Sequence, residues 1–480
     1  MFGYFPKPSK SWLIVKPQHL AAAQDLFGDL NINITTDGHA YLGSYIGSEA
    51  GKSTYIKDQI KEWRKDIDSL ADIAKTEPQL AYAAYVYGMS KRWTFVSRTT
   101  PCIAEEMKIL EHHIKETLIP AIVGKGYISD ETRNIFSLPA RLGGMGFTDP
   151  SKTADLEYEA SIIATAQLTD AIFNQISHPE LDNETQSEAM KTVKKKKEVW
   201  YKELQQNIIS KSNTTVAKII RLSSEKGASC WLTSLPLKRY GFLLNKQEFH
   251  DALCLRYNFA IKLAAKQCAC GEPYTVNHCL TCKKGGYVIL RHNSLRDLFA
   301  ELLREFCHDV DTEPVLLPLT GEKLPPGSNT ADGARLDVCA RGLYSPLDKA
   351  FIDIRVFNSL AKSNWEKKPA EMYKSHHNEK MREYGPRLTQ VEKAGGFIPA
   401  ILSTSGGVGK ECDTLIRRIA DRLALKRKEK YSDVVAFIRR RIRFDLLRTC
   451  VISLRGYRKP SNNTRIESLD FNLRKVASVY

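Results

Sequence analysis

Four residues within a short span, Cys268, Cys270, His278 and Cys282, have the donor types and spacing of a metal site. Cys268-Ala269-Cys270 sets two soft thiolates on a tight turn. Seven residues separate Cys270 from His278 and three separate His278 from Cys282, so an imidazole and a thiolate stand one helical turn apart. That donor set suits tetrahedral zinc. Gly271 and Gly285-Gly286 give the backbone freedom to wrap an ion at both ends. Cys279 is the competing donor, and small cysteines also fill cores, as expected of Cys102, Cys230 and Cys254. Eleven cysteines without a regular framework fit a reducing nucleus or cytoplasm better than a disulfide frame.

Farther along, the acids fall on strand patterns. Asp337 lies early in Arg335-Leu336-Asp337-Val338, and Asp353 sits between isoleucines in Phe351-Ile352-Asp353-Ile354-Arg355. Residues two apart on a strand share a face, so Asp353 and Arg355 point one way and Ile352 and Ile354 point to the core. A carboxylate in such a place is costly without a partner. Asp337 and Asp353 on adjacent strands, with Glu313 as a third oxygen ligand, are expected to bind magnesium or manganese. On the helix that follows, Tyr373, His377, Lys380 and Tyr384 form one stripe. Lys380 is expected to stabilise charge on a scissile phosphate and Arg355 to position it, because arginine does not give up its proton; Lys374 is the second choice of lysine. Asp332, beside Gly333, reads as part of a turn.

The elements that must position these groups follow from periodicity: a helix over 291–308, strands over 314–317, 335–340 and 350–356, a long charged helix over 367–392, and a strand over 397–404. Helix, three strands, helix, strand is the core order of a restriction-endonuclease-like domain. With the Cys-Cys-His-Cys set, Arg291-His292-Asn293, Glu313-Pro314, Leu336-Asp337, Asp353-x-Arg355 and Glu379-Lys380 to Tyr384, this stretch resembles the C-terminal end of early-branching non-LTR retrotransposon proteins. There a zinc knuckle precedes a PD-(D/E)xK endonuclease. Two positions depart from the pattern: Leu336 replaces a proline, and Arg355 takes the usual lysine slot. The resemblance implies nicking of target DNA, with the freed 3′ hydroxyl priming copying of element RNA. DNA and element RNA are then the partners, and no membrane is involved.

The opening residues resemble the end of a reverse-transcriptase palm. Gly3-Tyr4-x-Pro6 leads to Lys10, whose counterpart lies near the incoming nucleotide, and Leu42-Gly43 is the closing turn. Strands are expected over 11–15 and 41–46, inside a larger fold. The palm's paired aspartates are absent from the sequence, so no polymerase activity is expected of this chain.

Length and charge agree with this picture. At 480 residues and 42% hydrophobic, the chain can form several cored domains, and its net charge of +16 calls for a polyanionic partner. Basic residues concentrate near the end, where Arg417, Arg418, Arg439, Arg440 and Arg441 join Arg291, His292, Lys374 and Tyr384 as expected nucleic-acid contacts. The glycines of 405–410 do not make a nucleotide loop, since Thr404 and Glu411 occupy the positions of its first glycine and its hydroxyl.

The expected architecture is multidomain: a mainly α-helical, thumb-like bundle, then a zinc knuckle and an α/β restriction-endonuclease-like domain. The boundaries are 1–48 for the palm end, 49–180 for the thumb, 181–266 for a charged linker and connector, 267–286 for the knuckle, 287–412 for the nuclease and 413–480 for a basic helical region. The alternative is a non-catalytic nucleic-acid-binding remnant or domesticated protein of such an element.

Overall fold

The computed structural model describes residues 7–176, 183–262 and 266–456. The chain divides into two compact units, Met1–Leu138 with Gly146–Asn207, and Pro139–Met145 with Ile208–Tyr480. Both are mainly helical with small sheets.

The first unit opens with β1 (Trp12–Ile14), α1 (Leu20–Phe27), β2 (Asn33–Thr35), β3 (Gly38–Tyr41) and β4 (Ser44–Gly47). β1 pairs parallel with β2, and β3 pairs antiparallel with β4. The single strand expected over 41–46 is instead the middle of a hairpin. Leu42 (φ 48°) and Gly43 (φ 80°) adopt the left-handed pair of a tight hairpin turn. The long α2 (Glu49–Ala74) starts at Ser48, whose hydroxyl accepts the Gly51 N–H at 3.1 Å. Its Ile56, Ile60, Trp63, Ile67 and Leu70 are buried, as their helical spacing requires.

α3 (Pro78–Ala84), α4 (Ser90–Thr99), α5 (Ala104–His113), α6 (Ile119–Val123), α7 (Asp130–Ser137) and α8 (Pro150–Phe173) complete the bundle. Trp93 packs 5.9 Å from Trp63 and both are 2% exposed, so these rings are core. The polar stretch expected as a linker is one helix, α9 (Asn183–Lys211), and its lysine run is partly neutralised: Lys197 binds Glu157 at 2.7 Å and Lys196 pairs with Glu159.

In the second unit, α10 (Thr214–Ser223) and α11 (Lys246–Tyr257) come first. The glycine-rich residues Pro139–Met145 belong here. The buried Arg256 donates to the carbonyls of Ala140 and Gly144, each at 3.0 Å, and to Ser229 at 2.9 Å.

Then follow α12 (Val276–Thr281), α13 (Tyr287–Arg304), β5 (Asp309–Thr312), β6 (Val338–Arg341), β7 (Lys349–Phe357), α14 (Pro369–Gln390), β8 (Gly396–Ser403), α15 (Lys410–Arg427) and α16 (Tyr431–Arg455). The sheet order is β5-β6-β7-β8, antiparallel up to β7 and parallel between β7 and β8. The strand expected over 314–317 is displaced: β5 ends at Thr312, and Val315 makes only an isolated bridge to Arg335.

One face of the sheet, with Val338, Ile352 and Ile354, shares a core with Phe299 of α13, Ile416 and Ile419 of α15, and Ile438 and Ile442 of α16. The residues beyond 412 are therefore part of this core rather than a separate basic region. The opposite face meets α14: Phe351 clusters with Tyr384 and Leu388, and Phe357 and Ile401 with Met372. Of the cysteines expected as core filler, Cys254 is buried, Cys230 is partly buried and Cys102 is exposed with a left-handed φ of 56°. Among the described residues no helix is long and apolar enough to cross a membrane.

Candidate metal centre and carboxylate site

The knuckle is built by local hydrogen bonds. Thr275 caps α12 by accepting the His278 N–H at 3.2 Å, and the Cys282 N–H closes the helix on the His278 carbonyl at 2.8 Å. On the other arm, Cys268 N–H donates to Glu272 O at 2.8 Å, and Gly271 turns with φ 92°.

These restraints bring the ligand atoms of Cys268, Cys270, His278 and Cys282 within 4.8 Å of one another. Cys282 Sγ lies 3.8 Å from Cys268 Sγ and 3.9 Å from Cys270 Sγ, and Cys270 Sγ lies 3.3 Å from His278 Nε2. Zinc–sulfur bonds of about 2.3 Å at tetrahedral angles put two sulfurs about 3.8 Å apart, so the donor set fits a tetrahedral ion. Burial raises the Cys268 thiol, but the Cys270 amide and hydrogen bonds from His278, Cys270 and Cys282 outweigh it and pull Cys268 down to about 6. Burial pushes the Cys282 thiol up, and its neighbours Cys268 and Cys270 add to this. Cys279 faces away into the sheet core and is not a ligand.

At the carboxylate site, β7 presents Asp353 and Arg355 to α14 as strand alternation predicts. Asp353 is 5% exposed, and its Oδ2 lies 3.0 Å from Lys380 Nζ. That oxygen is buried and has no hydrogen-bond donor besides this ion pair. Burial pushes the Asp353 carboxyl up to about 6, with Lys380 pulling it down and Asp337 pushing it further up. Burial lowers Lys380, but Asp353 and then Glu383 outweigh it and the net shift is upward. The ammonium also lies 5.1 Å from the Tyr384 ring centre. Arg355 pairs with Glu379, at 2.9 Å, rather than with either aspartate.

Asp337 stands just before β6, and both its oxygens are engaged. Oδ2 accepts the Ile354 N–H at 2.5 Å, and Oδ1 lies 2.8 Å from His292 Nε2. The hydrogen bond to Asp337 raises the His292 pKa against burial. The sequence points His292 toward a nucleic-acid surface, whereas the structure makes it a partner of Asp337. The helical spacing of His292 and Arg296 on α13 is the available signal: two cations one turn apart face two acids, since Arg296 pairs with Glu313.

Glu313 therefore does not join the aspartates. Its side chain goes to Arg296, with Arg335 at 4.0 Å, while its N–H donates to the Asp337 carbonyl at 2.9 Å. Among the described residues, the cysteine–histidine set alone brings three or more possible ligand atoms together within 4.8 Å.

Of the other expected nucleic-acid contacts, Arg291 is 2% exposed and donates to the Leu280 carbonyl at 2.9 Å, so it anchors the knuckle. Tyr384 is buried and accepts from Asn329 at 3.4 Å. Arg418 donates to Leu343 O at 2.8 Å, and Arg441 holds Glu301 at 2.8 Å. Each of these four thus has a partner within the protein, and for Arg418 and Arg441 it is a carbonyl or an acid distant in sequence. Arg417 and Arg439 share Asp413, at 2.7 and 2.8 Å, while Lys374 and Arg440 are exposed.

Comparison of the chain with known protein families gave no match, and no curated protein matched it.

Proposed function

We propose that the second unit is a metal-dependent DNA endonuclease of the kind found in non-LTR retrotransposon proteins, with the cysteine–histidine knuckle as a structural zinc site. The observation that carries this reading is the buried ion pair of Asp353 with Lys380, beside Asp337, on central strands of a mixed sheet. Asp337 and Asp353 would hold magnesium or manganese, which when bound polarises the phosphate and makes its bound water more acidic. Lys380, fixed by Asp353 and Glu383, delivers a positive charge to the phosphate oxygens as negative charge builds on them. Arg355, held by Glu379 on the same strand face, orients the backbone. The first unit would grip a template-primer duplex as a reverse-transcriptase thumb does; this part rests on the sequence resemblance.

The test is nicking of supercoiled plasmid by the purified chain with added magnesium. Conversion to open circle that is lost with EDTA and in Asp353→Asn is expected. A second reading, a nucleic-acid-binding protein without catalysis, is favoured by one observation: His292 and the Ile354 amide already occupy both oxygens of Asp337. Plasmid binding without nicking in either magnesium or manganese would decide for it.

A further inference from the structure

Away from the carboxylates, cations from three elements of the second unit gather around one acid. Asp413, in the first turn of α15, is bound by Arg417 at 2.7 Å and by Arg439 of α16 at 2.8 Å, and lies 3.7 Å from Lys226 in the turn after α10. Burial raises the Asp413 carboxyl, yet Arg417, Arg439 and Lys226 together hold it below the ordinary carboxylate range. Burial likewise pushes the nearby Cys230 thiol up, against the pull of Arg443.

Three cations thus share one carboxylate. The surplus is not neutralised among the described residues. Arg443 is 5% exposed, forms no ion pair with a carboxylate among them, and its Nε is buried without an acceptor; the Nε of Arg439 is in the same state. Gly227, at φ 94°, lets the Arg443 guanidinium lie flat against the backbone, since a Cβ there would meet its nitrogens at 2.2 Å. Of the other acids on these elements, Glu225 accepts from Tyr373 at 2.7 Å, Glu411 lies 3.6 Å from His377, and Asp421 is exposed. Lys226, with 71% of its side chain exposed, and Arg440 form the outer rim.

We propose that this patch seats the phosphate backbone of duplex DNA at a site of its own, separate from the carboxylates. Guanidiniums held in place by a shared carboxylate match the paired oxygens of a phosphodiester, and a polyanion supplies counter-charge to the exposed cations Lys226, Arg417 and Arg440. Lys226 lies outside the basic stretch that the sequence marks for contacts. The identity of the partner rests on the proposed function above, whereas the patch does not depend on catalysis.

The experiment uses the full chain carrying Asp353→Asn, so that binding is read without cleavage. Fluorescence anisotropy with a duplex oligonucleotide is followed over a salt series, with and without Lys226→Glu plus Arg440→Glu. Both positions are exposed, and matched melting curves will exclude misfolding. The double variant is expected to bind at least tenfold more weakly, with a log–log salt slope shallower by roughly 2, at about 0.9 for each phosphate no longer neutralised. A control with the same charge change at the α15–α16 turn, Lys428→Glu plus Lys430→Glu, is expected to weaken binding less than threefold. Equal weakening by the two pairs, none by the first, no binding by the parent, or equally effective competition by polyglutamate each overturn the proposal. If the patch result holds while the chain with Asp353 intact fails to nick plasmid, the catalytic reading has failed and the DNA seat stands.

Discussion

The knuckle and the carboxylates, to which we assign different cations as a proposal, are at different stages of readiness. In the knuckle, four ligand atoms already converge with sulfur separations matching a tetrahedron, and no outside cation among the described residues competes for them. At the carboxylates, protein donors stand where an ion would bind: Lys380 on Asp353, and His292 and a backbone amide on Asp337. A site made from neighbours in sequence closes by itself. One made from three distant elements must satisfy its charges internally until a ligand arrives.

The widest gap between the two should appear on removing a ligand. Cys282→Ser is expected to take bound zinc from one equivalent to none and to lower Tm by about 10 °C or more. Structural zinc is worth on the order of 10 kcal/mol in small fingers, although α12 also rests on the core through Cys279 and Leu280. Elemental analysis and calorimetry measure both effects. Full zinc retention would mean that the converged ligands are not the ligands.

Lys380→Ala should act on rate rather than on metal content. We expect single-turnover nicking to fall about 100-fold or more, the scale of losing one preorganised charge at a transition state, with DNA affinity nearly unchanged. Wild-type nicking in this variant would assign the essential cation elsewhere.

A buried acid outside both regions supplies a reference for pH. Burial raises the Glu225 carboxyl from 4.5 to about 7, against the hydrogen bond from Tyr373. Since the folded chain holds this proton more tightly than the unfolded chain does, the contribution is complete below 4.5 and is lost as pH rises through about 7. The difference is on the order of 3 kcal/mol. Urea melts from pH 5 to 8 should show this decline in the wild type and a flatter profile in Glu225→Gln. The same slope in both proteins would remove Glu225 as its cause.

The smallest change is expected of Arg355→Lys. Its pair with Glu379 is partly solvated, and pairs of that kind contribute about 0–1 kcal/mol. Nicking within about threefold of wild type, with unchanged Tm, is the expected result. An inactive protein would transfer the central role from Lys380 to Arg355.

Local pattern makes much of this legible. Alternation locates β7 and the common face of Asp353 and Arg355; a long charged run locates α14, and cysteine spacing locates the knuckle. β5 escapes such reading because Asp309-Val310-Asp311-Thr312 is a polar edge strand, whereas Val315-Leu316-Leu317 has the composition of a strand but makes only one bridge. The basic helices look one-sided in sequence because their counter-charges, such as Glu301 for Arg441 and Glu305 for Arg427, lie more than a hundred residues away. Glu313 misleads for a related reason: its competitor Arg296 comes from another element.

Arg291 and His292 are consecutive in the first turns of α13, one gripping the Leu280 carbonyl of the knuckle and the other gripping Asp337. A disturbance of either grip reaches the other through a single peptide unit. Thermodynamic linkage then makes the relation mutual: if losing zinc alters magnesium affinity by some factor, magnesium must alter zinc affinity by that same factor. The thiols of Cys268 and Cys282 are thus linked, through Arg291 and His292, to a carboxylate that they never touch.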